Sequence, residues 1–197
     1  GPSIITDNLV LLVDAGDKTS YSESGTIWYD LSGNNYSGSL VNTPTFDSTS
    51  GGCLTFNGSN TYVDLGINSY NLGLGQNATI STWSQLAANT SSTIISDWNS
   101  VGLTLRYNNA SSIDFYVFPG TGDYRITYTG MTYKLNIWYN IVGVMNGSLL
   151  ELYINGVFKT SVAAGGPVGN SSSTLKIGIR GDLGALGPMN GKIALTQ

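Results

Sequence analysis

Histidine is missing from this chain altogether, cysteine occurs once, and only 10% of the residues are charged. Without histidine there is no ordinary Ser-His-Asp or Cys-His nucleophile and no His-based zinc site. A lone cysteine forms no disulfide within the chain. Cys53, in "GGCLTFNG", has apolar strand neighbours and reads as a small buried residue rather than a nucleophile. The eight lysines and arginines are scattered rather than clustered and are set against a net charge of −4, which opposes association with nucleic acid. No apolar run approaches the ~20 residues of a membrane-spanning helix, so membrane insertion is not expected. Glutamate is scarce as well: Glu23 and Glu151 stand far apart in the sequence.

What is present is a neutral, hydrogen-bonding chain. With 41% hydrophobic residues in 197, one domain can bury roughly 70% of its unfolded surface. The 26 glycines and the many Ser, Thr and Asn residues must supply most of the polar surface. The leading Gly1-Pro2 looks like the scar of a tag-removing protease, and residues 3–197 read as a single domain cut from a longer protein. "AAGGPVGNSSST" (163–174) resembles a linker, but the strand pattern on both sides of it is the same, so it reads as a surface loop.

Period-2 alternation dominates and no long stretch holds a capped helical period, which predicts an all-β chain of about fourteen short strands. They fall at 9–14, 38–42, 53–58, 61–66, 78–87, 92–98, 101–107, 112–118, 123–130, 138–147, 149–156, 157–163, 174–181 and 191–195. Without crossover helices, such a set implies two antiparallel sheets packed face to face in a jelly-roll sandwich. Asn155-Gly156 in "YINGVF" predicts a type I′ hairpin turn, and Phe56 and Tyr62 in "FNGSNTYV" read as the flanks of another hairpin. Alternation sends Ile113, Phe115 and Val117 to one face and Asp114 and Tyr116 to the other. It likewise turns Leu175, Ile177 and Ile179 inward and Lys176 and Arg180 outward. Trp28 and Tyr29 are expected to anchor a loop on the core, Asp30 to cap local amides, and Trp138 to lie in the core.

The ordered segments "LVLLVDAGDKTSYSESGTIWYDLSGNNYSGSLVN", "GGCLTFNGSNTYVDLG", "ATISTWSQ", "WYNIVGVMNGSLLELYINGVFKTS", "LKIGIRG" and "GKIAL" resemble the laminin-G-like, concanavalin A-like jelly-roll domains. Within that family they are most similar to domains of bacteriophage virion proteins and bacterial surface or secreted proteins. The resemblance covers nearly the whole chain and implies the fold; a fold of this kind hosts lectins, glycosidases and protein-binding modules alike. Family members usually continue past "GKIA" into a last strand that pairs with the N-terminal one. Here "LTQ" follows, so the expectation is a cut near that boundary or an edge completed differently, and an unpaired edge would invite a partner chain.

The related glucanases carry Glu-x-Asp-x-Glu on one strand, because a retaining hydrolase needs two carboxyl groups about 5 to 5.5 Å apart. Glu23 and Glu151 lie in no such motif, and the resemblance therefore implies no enzyme. Laminin-G-type domains often hold a calcium ion at the sandwich rim through Asp side chains and carbonyls, and Asp97 and Asp182 are the carboxylates to nominate here; both also read as solvated turn residues. Sugars ask for an aromatic face and hydrogen-bonding side chains, which "SDWNS" offers in Asp97, Trp98 and Asn99, with Arg106, Tyr116 and Arg180 extending the surface. Two readings of Trp98 stand, an exposed rim residue or one folded onto the core edge. In "IRGDLGAL", Arg180-Gly181-Asp182 spells an integrin-attachment tripeptide, and "LGAL" lengthens the match. The same residues also fit the end of a strand, a turn and a loop, and that reading is preferred.

The expected function is a non-catalytic binding module of a phage virion or surface protein that recognises a cell-surface glycan. The alternative is a structural decoration or assembly domain whose partner is a virion protein. Either places the chain on a virion surface or outside a cell.

Overall fold

Alternating apolar and polar residues, cut at short intervals by residues that adopt positive φ, fold among the described residues into sixteen strands and one 3-10 turn at Thr49–Gly51. The computed structural model describes residues 7–75, 77–130, 133–184 and 187–197. Gly1-Pro2 and Ala185-Leu186 of the lengthened Arg-Gly-Asp match lie outside the described residues. Along the chain the strands are β1 (Val13–Asp14), β2 (Ile27–Trp28), β3 (Gly38–Val41), β4 (Thr45–Asp47), β5 (Cys53–Asn57), β6 (Tyr62–Asp64), β7 (Asn77–Leu86) and β8 (Ser92–Ser96). They continue with β9 (Gly102–Asn109), β10 (Ser112–Phe118), β11 (Tyr124–Tyr128), β12 (Tyr139–Asn146), β13 (Leu149–Ile154), β14 (Val157–Ala163), β15 (Lys176–Ile177) and β16 (Asn190–Thr196).

The strands form two antiparallel sheets, the sandwich that the alternation predicts. The first runs β14-β13-β12-β7-β16-β5-β4, with β1 also paired to β16; the second runs β11-β10-β9-β8-β15-β6-β3-β2. Between them lies one continuous apolar core that includes Leu54, Phe56, Ile80, Leu86, Ile141 and Leu152 from the first sheet and Val63, Ile95, Leu105, Ile113, Phe115 and Ile177 from the second. Truncating a fully packed core side chain such as Phe115 costs about 3–5 kcal/mol. The Asn155-Gly156 turn takes positive φ at both residues (52° and 74°), as a type I′ hairpin requires.

Several segments depart from expectation, each for a physical reason. Only Val13–Asp14 of 9–14 joins a ladder, because Leu12 donates its N–H to the Asp30 carboxylate at 2.9 Å instead. That carboxylate also accepts from the Ser32 and Tyr36 amides. Burial works against the Asp30 charge, but these donors outweigh it and hold the carboxyl below its usual range. Trp28 is fully buried while Tyr29 is half exposed, so one aromatic anchors that loop and not both. The strand expected at 174–181 shrinks to β15, because Gly178 turns to φ +93°, where a side chain would collide with the Phe56 ring. "FNGSNTYV" is not a hairpin but a crossing from β5 in the first sheet to β6 in the second, pinned by Asn57 Oδ1, which accepts from the Ser59 and Asn60 amides. Trp138 is only half-buried, and its neighbour Tyr139 takes the core position. β16 leaves no unpaired edge: it lies inside the first sheet between β5 and β7 and pairs with β1 through Val13↔Thr196 and Asp14↔Leu195. Cys53 is buried as expected, and its thiol is pushed up to about 11, chiefly by burial.

Candidate functional site

The outer face of the second sheet is built by strand register. Tyr116 of β10 stands between Arg125 of β11 and Thr104 of β9; Thr104 faces Ser96 of β8, and Ser96 faces Lys176 of β15. Side chains in register on one face are near neighbours and interact. Ser96 and Thr104 share a hydrogen bond at 2.7 Å, and Ser96 Oγ accepts the Trp98 amide at 3.0 Å, so the strand row fixes the start of the Trp98 loop. Although alternation turns Lys176 outward, it is only 5% exposed, folded down to donate to Thr174 Oγ1 at 2.7 Å.

One row further along, Arg106 donates through Nε and Nη2 to Asp114 Oδ2 at 3.0 and 2.8 Å, and Nη2 also donates to the Tyr116 hydroxyl at 2.9 Å. The Tyr116 hydroxyl in turn donates to Asp114 Oδ2 at 2.6 Å. Burial, and then this donation to the carboxylate, pushes the Tyr116 phenol up to about 12. Asp114 Oδ1 is buried and finds no donor among the described residues. The Tyr116 ring stacks on Phe118 with centroids 5.7 Å apart, and Phe118 meets Trp98 at 5.9 Å. Arg180 then lies over the Trp98 ring at 4.6 Å, in cation–π range.

The result is a shallow cleft of about 120 Å³ lined by Trp98, Thr104, Arg106, Tyr116, Phe118 and Arg180. Four of the six expected ligand-binding residues, Trp98, Arg106, Tyr116 and Arg180, therefore meet on one surface. The other two do not join them. Asp97 is fully buried: Oδ1 accepts the Leu103 amide at 2.8 Å, and Oδ2 accepts the Ser69 amide at 2.8 Å and the Ser69 hydroxyl at 2.5 Å. Its part is structural, clamping the Trp98 loop to two other segments. Gly102, at φ +110°, is what lets the chain pass against this carboxylate, since a Cβ there would strike Asp97 Oδ1. Asn99 turns away to donate to Ser172 Oγ at 2.8 Å. Alternation overlooked Phe118 and Thr104, although both share the outward parity of Arg106 or Tyr116 on their own strands.

The Arg-Gly-Asp tripeptide is a tight turn, with the Leu183 amide donating to the Arg180 carbonyl at 2.9 Å. Its two charges are spent on each other: Arg180 Nε and Nη2 donate to Asp182 Oδ1 and Oδ2 at 2.7 and 2.9 Å. Burial opposes the Asp182 charge, but Arg180 and the Gly184 amide outweigh it and hold the carboxyl below its usual range.

A calcium ion needs free oxygen lone pairs converging from several sides. The Asp97 oxygens are occupied by N–H and O–H donors, and those of Asp182 by a guanidinium and an amide, so this pair does not fit the ion. Among the described residues no group of three or more His, Cys, Asp or Glu side chains gathers.

A wider groove of about 1120 Å³ lies on the other side of the sandwich, against the outer face of the first sheet, and is lined in part by Leu9, Trp83, Val144, Met145 and Leu195. Among the described residues it has one charged side chain on its walls, Asp7, and no stacked aromatic pair. Size favours this groove, but convergent polar and aromatic groups favour the smaller cleft.

A family model described as "Concanavalin A-like lectin/glucanases superfamily" matches residues 57–195, more than half of the chain. The chain belongs to that superfamily. No curated protein is significantly similar to this concanavalin A-like domain. Among solved structures it is similar to domain 4 of AbnA, a GH43 extracellular arabinanase from Geobacillus stearothermophilus, in complex with arabinotriose, at 16% identity and TM-score 0.69, covering 95% of this chain and 90% of that one. It is also similar to the botulinum neurotoxin serotype D binding domain (18%, TM-score 0.69, 98% of this chain and 47% of that one). A third is the Ruminococcus gnavus IT-sialidase CBM40 bound to alpha2,3 sialyllactose (13%, TM-score 0.61, 74% and 87%). The chain spans about half the length of the botulinum toxin domains it matches. Likeness at these identities is one of fold. No helix among the described residues is long and apolar enough to cross a membrane.

Proposed function

We propose that the chain is a non-catalytic glycan-binding module whose ligand lies on the Trp98–Arg180 cleft. One observation carries the reading: an aromatic wall of Trp98, Phe118 and Tyr116, flanked by arginines whose orientation is already fixed by Asp114 and Asp182. A sugar presents an apolar ring face ringed by hydroxyls, and such a surface offers it stacking and rigid donors together. The cleft volume suits one ring lying on the surface rather than an engulfed ligand. Domain 4 of AbnA in complex with arabinotriose and the CBM40 bound to alpha2,3 sialyllactose share the fold, which supports the class of ligand without fixing it. The non-catalytic reading is supported by the carboxylates themselves: Asp114 is tied up with Arg106 and Tyr116, Asp182 with Arg180, and Glu151 accepts from Tyr153 on the other sheet. The motif set that resembles virion and bacterial surface domains supports display on a particle or outside a cell.

The test is a glycan array probed with the wild-type chain, Trp98→Ala and Trp83→Ala, each with calcium and with EDTA. Trp83 is an exposed tryptophan on the opposite sheet and serves as the control. Expected are hits indifferent to EDTA, weakened about tenfold or more in Trp98→Ala and kept in Trp83→Ala. Equal binding by Trp98→Ala would move the site elsewhere. The β14 edge strand favours a second reading, an assembly domain, because Val157 and Phe158 are more than half exposed there. That reading expects a blank array and capture of a particle protein by the wild-type chain but not by Phe158→Asp.

A further inference from the structure

Arg106, Arg125 and Arg180 are all the arginines in the chain, and all three stand against one aromatic wall. Arg106 and Arg125 lie over the Tyr116 ring, each with its guanidinium carbon 5.2 Å from the centroid, and Arg180 lies over Trp98. Two of the three are held there by carboxylates, so the question the cluster raises is what the remaining one serves.

Charge accounting separates the three. Arg106 is neutralised by Asp114 at 2.8 Å and Arg180 by Asp182 at 2.7 Å. Arg125 is exposed, and among the described residues it pairs with no carboxylate. Among the described residues its ring contact is with Tyr116, its register partner across β10 and β11, at the margin of the cleft. Ring contact of this kind holds a guanidinium by its face and leaves its N–H edge for hydrogen bonding, and that planar fork matches a carboxylate bidentately. Trp98 Nε1, like Nε1 of Trp28 and Trp138, is buried without an acceptor among the described residues, so it does not distinguish the cleft and Arg125 alone carries the argument.

We propose that the cleft selects acidic glycans, with the carboxylate of a uronic or sialic acid residue on Arg125 and the sugar ring on the Trp98–Phe118–Tyr116 wall. This inference rests on the glycan-binding reading and adds the ligand's charge to it. Because Arg125 is exposed, its contribution is screened by salt.

The experiment titrates the intact chain with glucuronic-acid-terminated and sialic-acid-terminated oligosaccharides and with the carboxyl-reduced form of each, at low and at physiological salt. The readout is the ratio of acid to neutral affinity. Expected is a ratio of about tenfold or more for at least one of the two acids, smaller at higher salt, falling to about one in Arg125→Gln and unchanged in Lys159→Gln, which removes a cation from the other sheet. Which acid shows the preference identifies the source of the carboxylate. A wild-type ratio near one, with neutral glycans still bound at the Trp98 wall, overturns the acidic selectivity alone, as does a preference that survives Arg125→Gln. Failure of the folded chain to bind any oligosaccharide overturns both this inference and the glycan-binding reading.

Discussion

Along β12 in the first sheet, burial alternates residue by residue, whereas along β8, the first half of β9 and most of β10 in the second sheet it is continuous. Both sheets pack one face on the same core, so the difference lies in their outer faces. On the first sheet the outward residues, among them Trp83, Phe158 and Leu149, remain substantially exposed. On the second, Asp114, Thr104, Ser96 and Lys176 are nearly inaccessible although, among the described residues, no third sheet lies over them. They are covered by one another and by the arginines and aromatics above them. An outer face that roofs itself with polar side chains holds them in fixed orientations, and fixed donors are what recognition of a polar ligand needs. An outer face that alternates in the ordinary way leaves its side chains free.

The contrast can be broken most severely at Asp114, whose side chain is 1% exposed and is the partner of Arg106. Asp114→Ala strands a largely buried guanidinium and is expected to cost about 3 kcal/mol, read as a lowered midpoint in urea unfolding. An unshifted midpoint would mean that the roofed face contributes no more to stability than the open one.

Asp97→Asn comes next, at about 1–2 kcal/mol, because an amide offers one acceptor oxygen where the carboxylate offers two, leaving a Ser69 or Leu103 N–H unpaired. This variant also carries a pH signature. Burial raises the Asp97 carboxyl above its ordinary 3.8, with the Ser69 and Leu103 donors opposing. A folded-state value above the unfolded one means that the group's stabilising contribution is full below about 3.8 and is lost as pH rises through the raised value. The stability gap between wild type and Asp97→Asn is therefore expected to be wider near pH 3.5 than at pH 7. A gap that narrows on acidification would show that the donors outweigh burial.

The smallest effect is expected on the open face. Trp83→Ser should change the unfolding free energy by no more than about 0.5 kcal/mol, since substitutions at exposed sites away from special features rarely do more. A loss of several times that size would show that Trp83 is held as firmly as Trp98.

Much of the fold was legible because it rests on local signals. Alternation placed β10 and β14 at their observed bounds, and Asn155-Gly156 specified its turn. Strands β2 and β4 escaped because two and three residues are too few to display a period. Asn-Gly at 57–58 misled because the same chemistry serves a hairpin and a crossing between sheets. Within the site, outward parity at Arg106, Tyr116 and Arg180, together with a turn-flanked Trp98, was enough to bring four residues to one surface. Asp97 was misjudged as a rim ligand because its environment is not local: the Ser69 donors come from a loop 28 residues earlier in the chain. Arg125 was not among the residues singled out from the sequence, because its place beside Tyr116 rests on the register between β10 and β11, which the sequence alone does not display.

The position of β16 inside the first sheet has a consequence for how the chain folds as it is made. Asp47 and Lys192, whose side chains bond across β4, β5 and β16, are 145 residues apart. Until β16 emerges from the ribosome, the β4-β5 pair and the β7-β12-β13-β14 group have no strand to join them, and the inner edges of both stand open. Contacts so distant in sequence slow folding, and open edges in the interval favour aggregation. The rate-limiting event of folding should accordingly be the insertion of residues 190–196 between two preformed halves, and slowing that insertion should lower the yield of soluble protein before it changes the stability of the finished fold.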